Sequence, residues 1–357
     1  MKTHKQKNLI FITQIIIILI FLMTLAGCSG GSRFSAWGGG QSTGNLQLHN
    51  PYQGIQGIML EFVESMPPET VLIGDKFDIG IRVKNYGAYD IDTGKGEIIL
   101  NADSNIFLVE GNKLTKNFEV LGRSEFLSEG EEDIILFPIM VRCFDQLKGS
   151  KNNIIKTITA ISCYDYETKF GVDVCLDPTA KDNINREEIE KICEQQNLSF
   201  SGGQGAPIAI NRVDANIVPY KNKLQAMVTI ELSQVQDGEV YFSESKLSCS
   251  DPGKQNRIYA DVELRGQKLN CKSLTSSGLP SNVVELKSKV GMLRCQTELT
   301  STEGTFTTPL TINLKYNFKS KIHQKLNIIP PSGELDKVGC QNLESEMKSV
   351  PSDDVNI

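Results

Sequence analysis

From about residue 52 onward, apolar residues return at every second position, and that period restricts most of this chain to strands. Phe77, Ile79, Ile81 and Val83 alternate with Asp78, Gly80, Arg82 and Lys84. Successive side chains of a strand point to opposite faces, so such a run buries one face and wets the other. Asn85-Tyr86-Gly87 then supplies turn-forming residues. Further strands are expected at 96–101, 115–121, 133–143, 154–166 and 170–176, with Pro67-Pro68, Gly74-Asp75 and Glu129-Gly130 between strand-like runs. A second interval behaves alike. Leu224, Ala226, Val228 and Ile230 alternate, and strands are expected at 207–218, 256–264, 291–298 and 309–318. Many short strands at regular spacing imply an all-β fold. The expected architecture is two tandem β-sandwiches, 52–178 and 206–330.

The connector between them, 179–205, breaks the period. Arg186 to Gln196 reads as one short helix, capped by Asn185 with Glu188 three positions later, and with Ile189, Ile192 and Cys193 on one face. Ser201-Gly202-Gly203-Gln204-Gly205 reads as a hinge. Its glycines lack the strand–loop–helix context and following Lys-Ser/Thr of a phosphate loop.

The two intervals share an ending. Tyr164-Asp165-Tyr166-Glu167-Thr168-Lys169 precedes Phe170 and, further on, Pro178; Tyr316-Asn317-Phe318-Lys319-Ser320-Lys321 precedes Ile322 and Pro330. The offset is 152 throughout. This reads as the final hairpin of one domain type used twice, with residue 169 at the first turn.

The front of the chain is of another kind. Lys2, Lys5 and Lys7 precede an apolar run from Leu9 to Leu25, which closes on Leu25-Ala26-Gly27-Cys28. A basic start, an apolar middle and small residues at the cut describe a secretory signal. The cysteine at its end points to a lipoprotein signal spanning 1–28, with lipid on Cys28. An uncleaved single membrane helix is the rival reading. Both leave the rest of the chain on the outer face of the cytoplasmic membrane. Each buried methylene of an acyl chain contributes about 0.8 kcal/mol, so two chains hold firmly. Residues 29–51, rich in Gly, Ser, Asn and Gln, read as a flexible tether that contains Phe34 and Trp37, and 331–357 as a polar tail. Loss of residues 1–27 with their three lysines would carry the formal charge from −6 to −9. An acidic chain has no electrostatic reason to seek nucleic acid.

Besides Cys28 there are eight cysteines: Cys143, Cys163, Cys175, Cys193, Cys249, Cys271, Cys295 and Cys340. An even set in an oxidising compartment suggests disulfides. Zinc is disfavoured, since no C-x-x-C pair exists and only three histidines occur. If the turn lies at residue 169, Cys163 and Cys175 face each other across a hairpin, and a bridge there would contribute about 3 kcal/mol at most. Cys271 with Cys295 is a second candidate pair.

Phe77 to Gly87, with Val83-Lys84-Asn85-Tyr86-Gly87, resembles the early strands of CARDB-type immunoglobulin-like domains. The layout is also similar to that of predicted surface proteins of small-genome archaea. The residues that carry this are Cys163 to Thr168, Cys175 to Pro178, and Gly203-Gln204-Gly205-Ala206-Pro207. The resemblance covers roughly 52–330. It implies Ig-like sandwiches on a cell-surface module of unknown ligand, and it brings no catalytic residues.

Residues for chemistry are scarce. No Gly-x-Ser-x-Gly elbow or His-Glu-x-x-His occurs. The histidines are His4, His49 and His323, which gives base catalysis no candidate. Asp90-Ile91-Asp92-Thr93-Gly94 could offer oxygen ligands to calcium, but it lacks EF-hand spacing and reads as a solvated turn, as does Glu129 to Asp133. Asn197-Leu198-Ser199 is a glycosylation acceptor triplet. Sugar binding would favour exposed aromatic platforms, whereas Tyr164, Tyr166, Tyr316 and Phe318 are expected in a core.

The expected function is a non-enzymatic, lipid-anchored surface protein that presents β-sandwiches for adhesion or envelope protein–protein interaction. No metal, cofactor or small-molecule substrate is expected. The partners expected are the membrane, through the anchor, and an unidentified surface or envelope protein. One alternative is a solute-binding or receptor-accessory lipoprotein, which would need a deep pocket between domains. Another is a surface hydrolase, which would need a buried acidic cluster or a metal.

Overall fold

Alternation becomes strand as the spacing demands. In the run Lys76–Asn85, Ile79, Ile81 and Val83 are fully buried, while Asp78, Arg82 and Lys84 stay in or near solvent. The computed structural model describes residues 50–142, 153–176, 196–220, 223–243, 249, 253–300, 305–329 and 345. Its strands up to residue 176 are β1 (Ile58–Phe62), β2 (Thr70–Leu72), β3 (Lys76–Asn85), β4 (Ile91–Asn101), β5 (Phe107–Val109), β6 (Thr115–Val120), β7 (Glu132–Val141) and β8 (Ile154–Leu176). The later ones begin with β9 (Gln196–Ser199), β10 (Ile208–Tyr220), β11 (Lys223–Gln234), β12 (Glu239–Phe242), β13 (Lys254–Gln255) and β14 (Arg257–Leu264). Then follow β15 (Gln267–Lys268), β16 (Asn270–Ser273), β17 (Val283–Glu285), β18 (Val290–Thr300) and β19 (Phe306–Ile329). Among the described residues the only other named element is a 3₁₀ turn at Glu110–Asn112.

Three sheets result. One has the order β1-β3-β7-β5, and a second the order β16-β18-β11-β10-β9. The third runs β13-β12-β19-β8-β4-β6, with β14 also on β19, β15 and β17 on β14, and β2 parallel to β19. This last sheet crosses both intervals of the chain. The described residues fall in one unit, and a single apolar cluster runs through both sets of strands.

The two terminal hairpins expected from the repeat are not hairpins. β8 is one strand of 23 residues and β19 one of 24. They pair with each other, antiparallel, from Ile154 opposite Ile328 to Leu176 opposite Phe306. Their alternation explains it. Tyr164, Tyr166, Thr168, Phe170, Val172 and Val174 all point inward, so no turn interrupts the period at 169. Asp165 lies opposite Asn317, and the 152-residue offset relates these same two positions. The two repeated segments are therefore related by a local two-fold axis at that pair. Tyr164 faces Phe318 and Tyr166 faces Tyr316, the reciprocal pairing of an isologous contact. Ring centroids are 5.7 Å apart in the first pair and 6.1 Å in the second.

The proposed Cys163–Cys175 bridge is corrected by the same fact. Twelve strand residues separate those positions by about 40 Å. Cys163 is instead joined to Cys249, 86 residues away. Cys175 is also disulfide-bonded. Cys271, on β16, is joined to Cys295, directly opposite on β18. The expected helix lies outside the described residues except for its last residue, Gln196, which begins β9. The signal, Cys28, most of the tether and nearly all of the tail lie outside them as well.

Candidate functional site

The two short motifs singled out in the sequence meet in space. The Tyr166 hydroxyl donates to the Gly205 carbonyl at 3.1 Å, and the Thr168 hydroxyl donates to the Ile208 carbonyl at 3.0 Å. The Ile208 N–H donates to the Tyr316 hydroxyl oxygen at 3.3 Å, which also lies 2.9 Å from Thr168 Oγ1. Burial pushes the phenols of Tyr164, Tyr166 and Tyr316 above their usual range. The motif tyrosines and Thr168 are buried, so they hold the connector rather than a ligand.

The connector in turn holds the first residues of the described unit. The Gly205 N–H donates to the Gly54 carbonyl at 2.7 Å, and the Gly54 N–H to the Gly202 carbonyl at 2.8 Å. Gly205 has φ +67, and a Cβ there would lie 2.7 Å from the Pro51 carbonyl oxygen, so glycine is required. The Arg123 guanidinium donates to the carbonyls of Pro51 and Gln53. Tyr52 is thereby fixed at the surface with 48% of its area exposed.

Two grooves open beside this knot. β4 pairs with β8 only from Thr159 to Tyr164, so the next residues of β8 have no strand from β4 alongside. The larger groove, about 780 Å³, lies there between Lys169-Phe170 of β8, the 199–204 segment and Tyr52. Phe170 and Phe200 pack edge to face at 4.6 Å on its floor. Gln53, Ser199, Ser201, Thr311 and Asn313 line it and make no side-chain hydrogen bond among the described residues. The smaller groove, about 490 Å³, shares Tyr52 and Lys169 and continues past Tyr89, Asp90, Glu125 and Phe126. Phe126 is 84% exposed. The Lys95 and Lys169 ammonium groups each sit 5.8 Å from the Tyr89 ring centroid.

The repeat places a third groove, about 360 Å³, against β19, where Lys321 and Ile322 stand for Lys169 and Phe170. Its lining mixes Ile55, Ile58, Leu60 and Val235 with Gln56, Gln236 and Asp237. No aromatic residue lines it, and its Gln236 accepts the Gly57 N–H at 2.7 Å and donates to the Ile58 carbonyl at 2.8 Å.

The remaining sequence-predicted residues have separate places. Asn197 is exposed on β9, opposite Asp214, so the acceptor triplet forms a strand at a sheet margin rather than a loop. Asp90 accepts the Gly122 N–H at 2.7 Å, and Asp92 pairs with Lys95. That hydrogen bond, foremost, raises the Lys95 ammonium above its usual range. No cluster of metal-ligating side chains occurs among the described residues. His323 is exposed, its Nδ1 2.8 Å from Thr159 Oγ1. Of the groove aromatics, Phe170 belongs to the repeated ending, while Tyr52, Tyr89, Phe126 and Phe200 were not marked by any sequence pattern. They converge from separate segments.

No family model matches the chain, and no curated protein does. Similar solved structures include the CupB6 tip adhesin from Pseudomonas aeruginosa, 8% identical with TM-score 0.18, covering 79% of this chain and 100% of that one. A partial N-terminal region of enterococcal surface protein is 10% identical with TM-score 0.17, covering 89% and 91%. The collagen adhesin of S. aureus is 8% identical with TM-score 0.10, covering 78% and 93%. Scores this low carry no argument.

Proposed function

We propose that the chain is a non-enzymatic, lipid-anchored protein of the cell surface. It presents β-sandwiches of CARDB type, related by the local two-fold axis, for adhesion or for assembly with another envelope protein. The observation that carries this reading is the pair of defined disulfides, Cys163–Cys249 and Cys271–Cys295, in a chain whose front end reads as a lipoprotein signal. Such bonds persist in oxidising compartments and are rare in the cytosol. The long β8–β19 ladder supports the presenting role, because it makes a stiff support for the grooves at its side. Anchorage through Cys28 confines the molecule to the membrane surface, and residues 29–51 give it reach.

The test is fractionation of cells that express the chain and its Cys28→Ser variant, with protease treatment of intact cells. The wild-type chain is expected in the membrane fraction and open to protease. Cys28→Ser is expected in the medium or the soluble envelope fraction. A protease-shielded wild-type chain, or a variant that stays in the membrane fraction, would overturn the anchor.

A further inference from the structure

The geometry points to a neutral oligosaccharide as the ligand of the joined grooves at Tyr52 and Lys169, an inference that rests on the presenting role proposed above and specifies what is held. Sugar rings offer two surfaces to a protein. Their C–H faces pack on aromatic rings, and their rim of hydroxyls needs many short neutral donors and acceptors. Both are present here. Tyr52 stands 48% exposed where the two grooves meet, Phe126 stands 84% exposed in the smaller one, and Phe170 and Phe200 line the larger one. Around them lie amide and hydroxyl side chains, such as Asn313, Thr311 and Ser201, that make no side-chain hydrogen bond among the described residues.

The shape selects a chain over a single ring. The grooves measure about 780 and 490 Å³ and share Tyr52 and Lys169, so a ligand can run from one to the other. Sites of this size lie within the usual range for bound small molecules, about 300–1,000 Å³. The charge selects a neutral chain over an anionic one. Lys169 is the one cation of the larger groove, and it is held over the Tyr89 ring and 3.8 Å from the Glu167 carboxylate. Asp90, Asp92 and Glu125 line the smaller groove beside Arg123, which is engaged by the Pro51 and Gln53 carbonyls, and Lys169, so a uronic or sialic acid would meet three carboxylates and two cations already engaged.

The third groove is an internal comparison. It has the same position in the repeat, but Ile322 replaces Phe170, its lining holds no aromatic ring, and its Gln236 is already bonded to the Gly57 N–H and the Ile58 carbonyl. The aromatic floor thus belongs to one groove only.

The experiment uses the full lipid-bearing chain in detergent micelles. Titration calorimetry and saturation-transfer NMR are run against defined tetrasaccharides of glucose, mannose, galactose and N-acetylglucosamine, with a uronic-acid tetramer and a displayed peptide library alongside. At least one neutral tetramer is expected to bind. Tyr52→Ala is expected to weaken it tenfold or more, with the melting midpoint unchanged, since the Tyr52 side chain is half in solvent. Ile322→Ala, in the third groove, is expected to leave sugar binding unchanged. Silence of every neutral tetramer at 10 mM overturns the inference. So does binding of the uronic tetramer alone, selection of peptides with no sugar bound, or full retention of binding in Tyr52→Ala. These readings need no cell, so they stand apart from the fractionation that tests the anchor. Failure here with a released Cys28→Ser variant removes the sugar and keeps the surface role.

Discussion

Replacement of Gly87 by alanine tests whether the turn after β3, the long strand β8 and the connector form one knot. A Cβ at Gly87 would overlap the Tyr166 hydroxyl oxygen and lie 2.6 Å from the Gly205 carbonyl oxygen. The hydroxyl sits on a fully buried ring and the carbonyl is backbone, so neither yields easily. Overpacking of this kind costs about 1–3 kcal/mol. Displacement of the hydroxyl from Gly205 leaves a buried donor unpaired, for about 1–3 kcal/mol more. Gly87→Ala should therefore cost about 4 kcal/mol. Tyr166→Phe alone should cost only about 1 kcal/mol, because the Gly205 carbonyl keeps the Ala88 N–H at 2.9 Å. The double variant is the decisive one. With the hydroxyl gone, the added methyl meets only the ring carbon at 2.9 Å and the carbonyl, so the two changes should fall short of additivity by about 1–2 kcal/mol. The assay is guanidinium unfolding of the oxidised full chain. A Gly87→Ala midpoint equal to that of wild type, or strict additivity in the double variant, would refute the reasoning.

Burial holds the Asp165 carboxyl above its usual range, partly offset by the Asn317 amide, while the buried Asn317 Oδ1 has no donor. A carboxyl raised in the fold stabilises at low pH and loses that contribution as pH rises through its folded value. Asp165→Asn keeps a neutral side chain at every pH and supplies the missing donor, so it should match wild type near pH 3 and exceed it at pH 7 by about 1 kcal/mol in urea melts; a variant less stable at pH 7 would refute this. Non-reducing peptide mapping should recover Cys163 linked to Cys249 and Cys271 linked to Cys295, with no Cys163–Cys175 peptide. Paired serine replacements should cost about 4.5 and 3.5 kcal/mol respectively, from the loops that each bond closes. A chain ended after residue 205 leaves the whole β19 side of β8 unpaired, so light scattering should report dimers or aggregates; a well-folded monomer would contradict the shared ladder.

Strand content was legible because β3 and β11 alternate without a break. β8 was legible too, and was misread. Asp165-Tyr166-Glu167-Thr168-Lys169 contains no Gly, Pro or Asn to turn the chain, and its inward period continues through Phe170 and Val172. The repeat was visible as an offset of 152, but an offset does not tell whether two copies stand apart or face each other. The partner of Cys163 could not be read, since Cys249 arrives from 86 residues away through the fold. The grooves were hidden for the same reason. Tyr52, Phe126, Phe170 and Asn313 have no common spacing until β8, β19 and the connector bring them together.

The β8–β19 ladder also bears on mechanics. Bonds of an antiparallel ladder lie across the strands. A pull that slides one long strand along the other loads all its rungs at once, whereas peeling from one end would break them singly. Tension that enters at Ile154 and leaves at Phe306, at opposite ends of the ladder, would therefore meet a joint that yields late and all together.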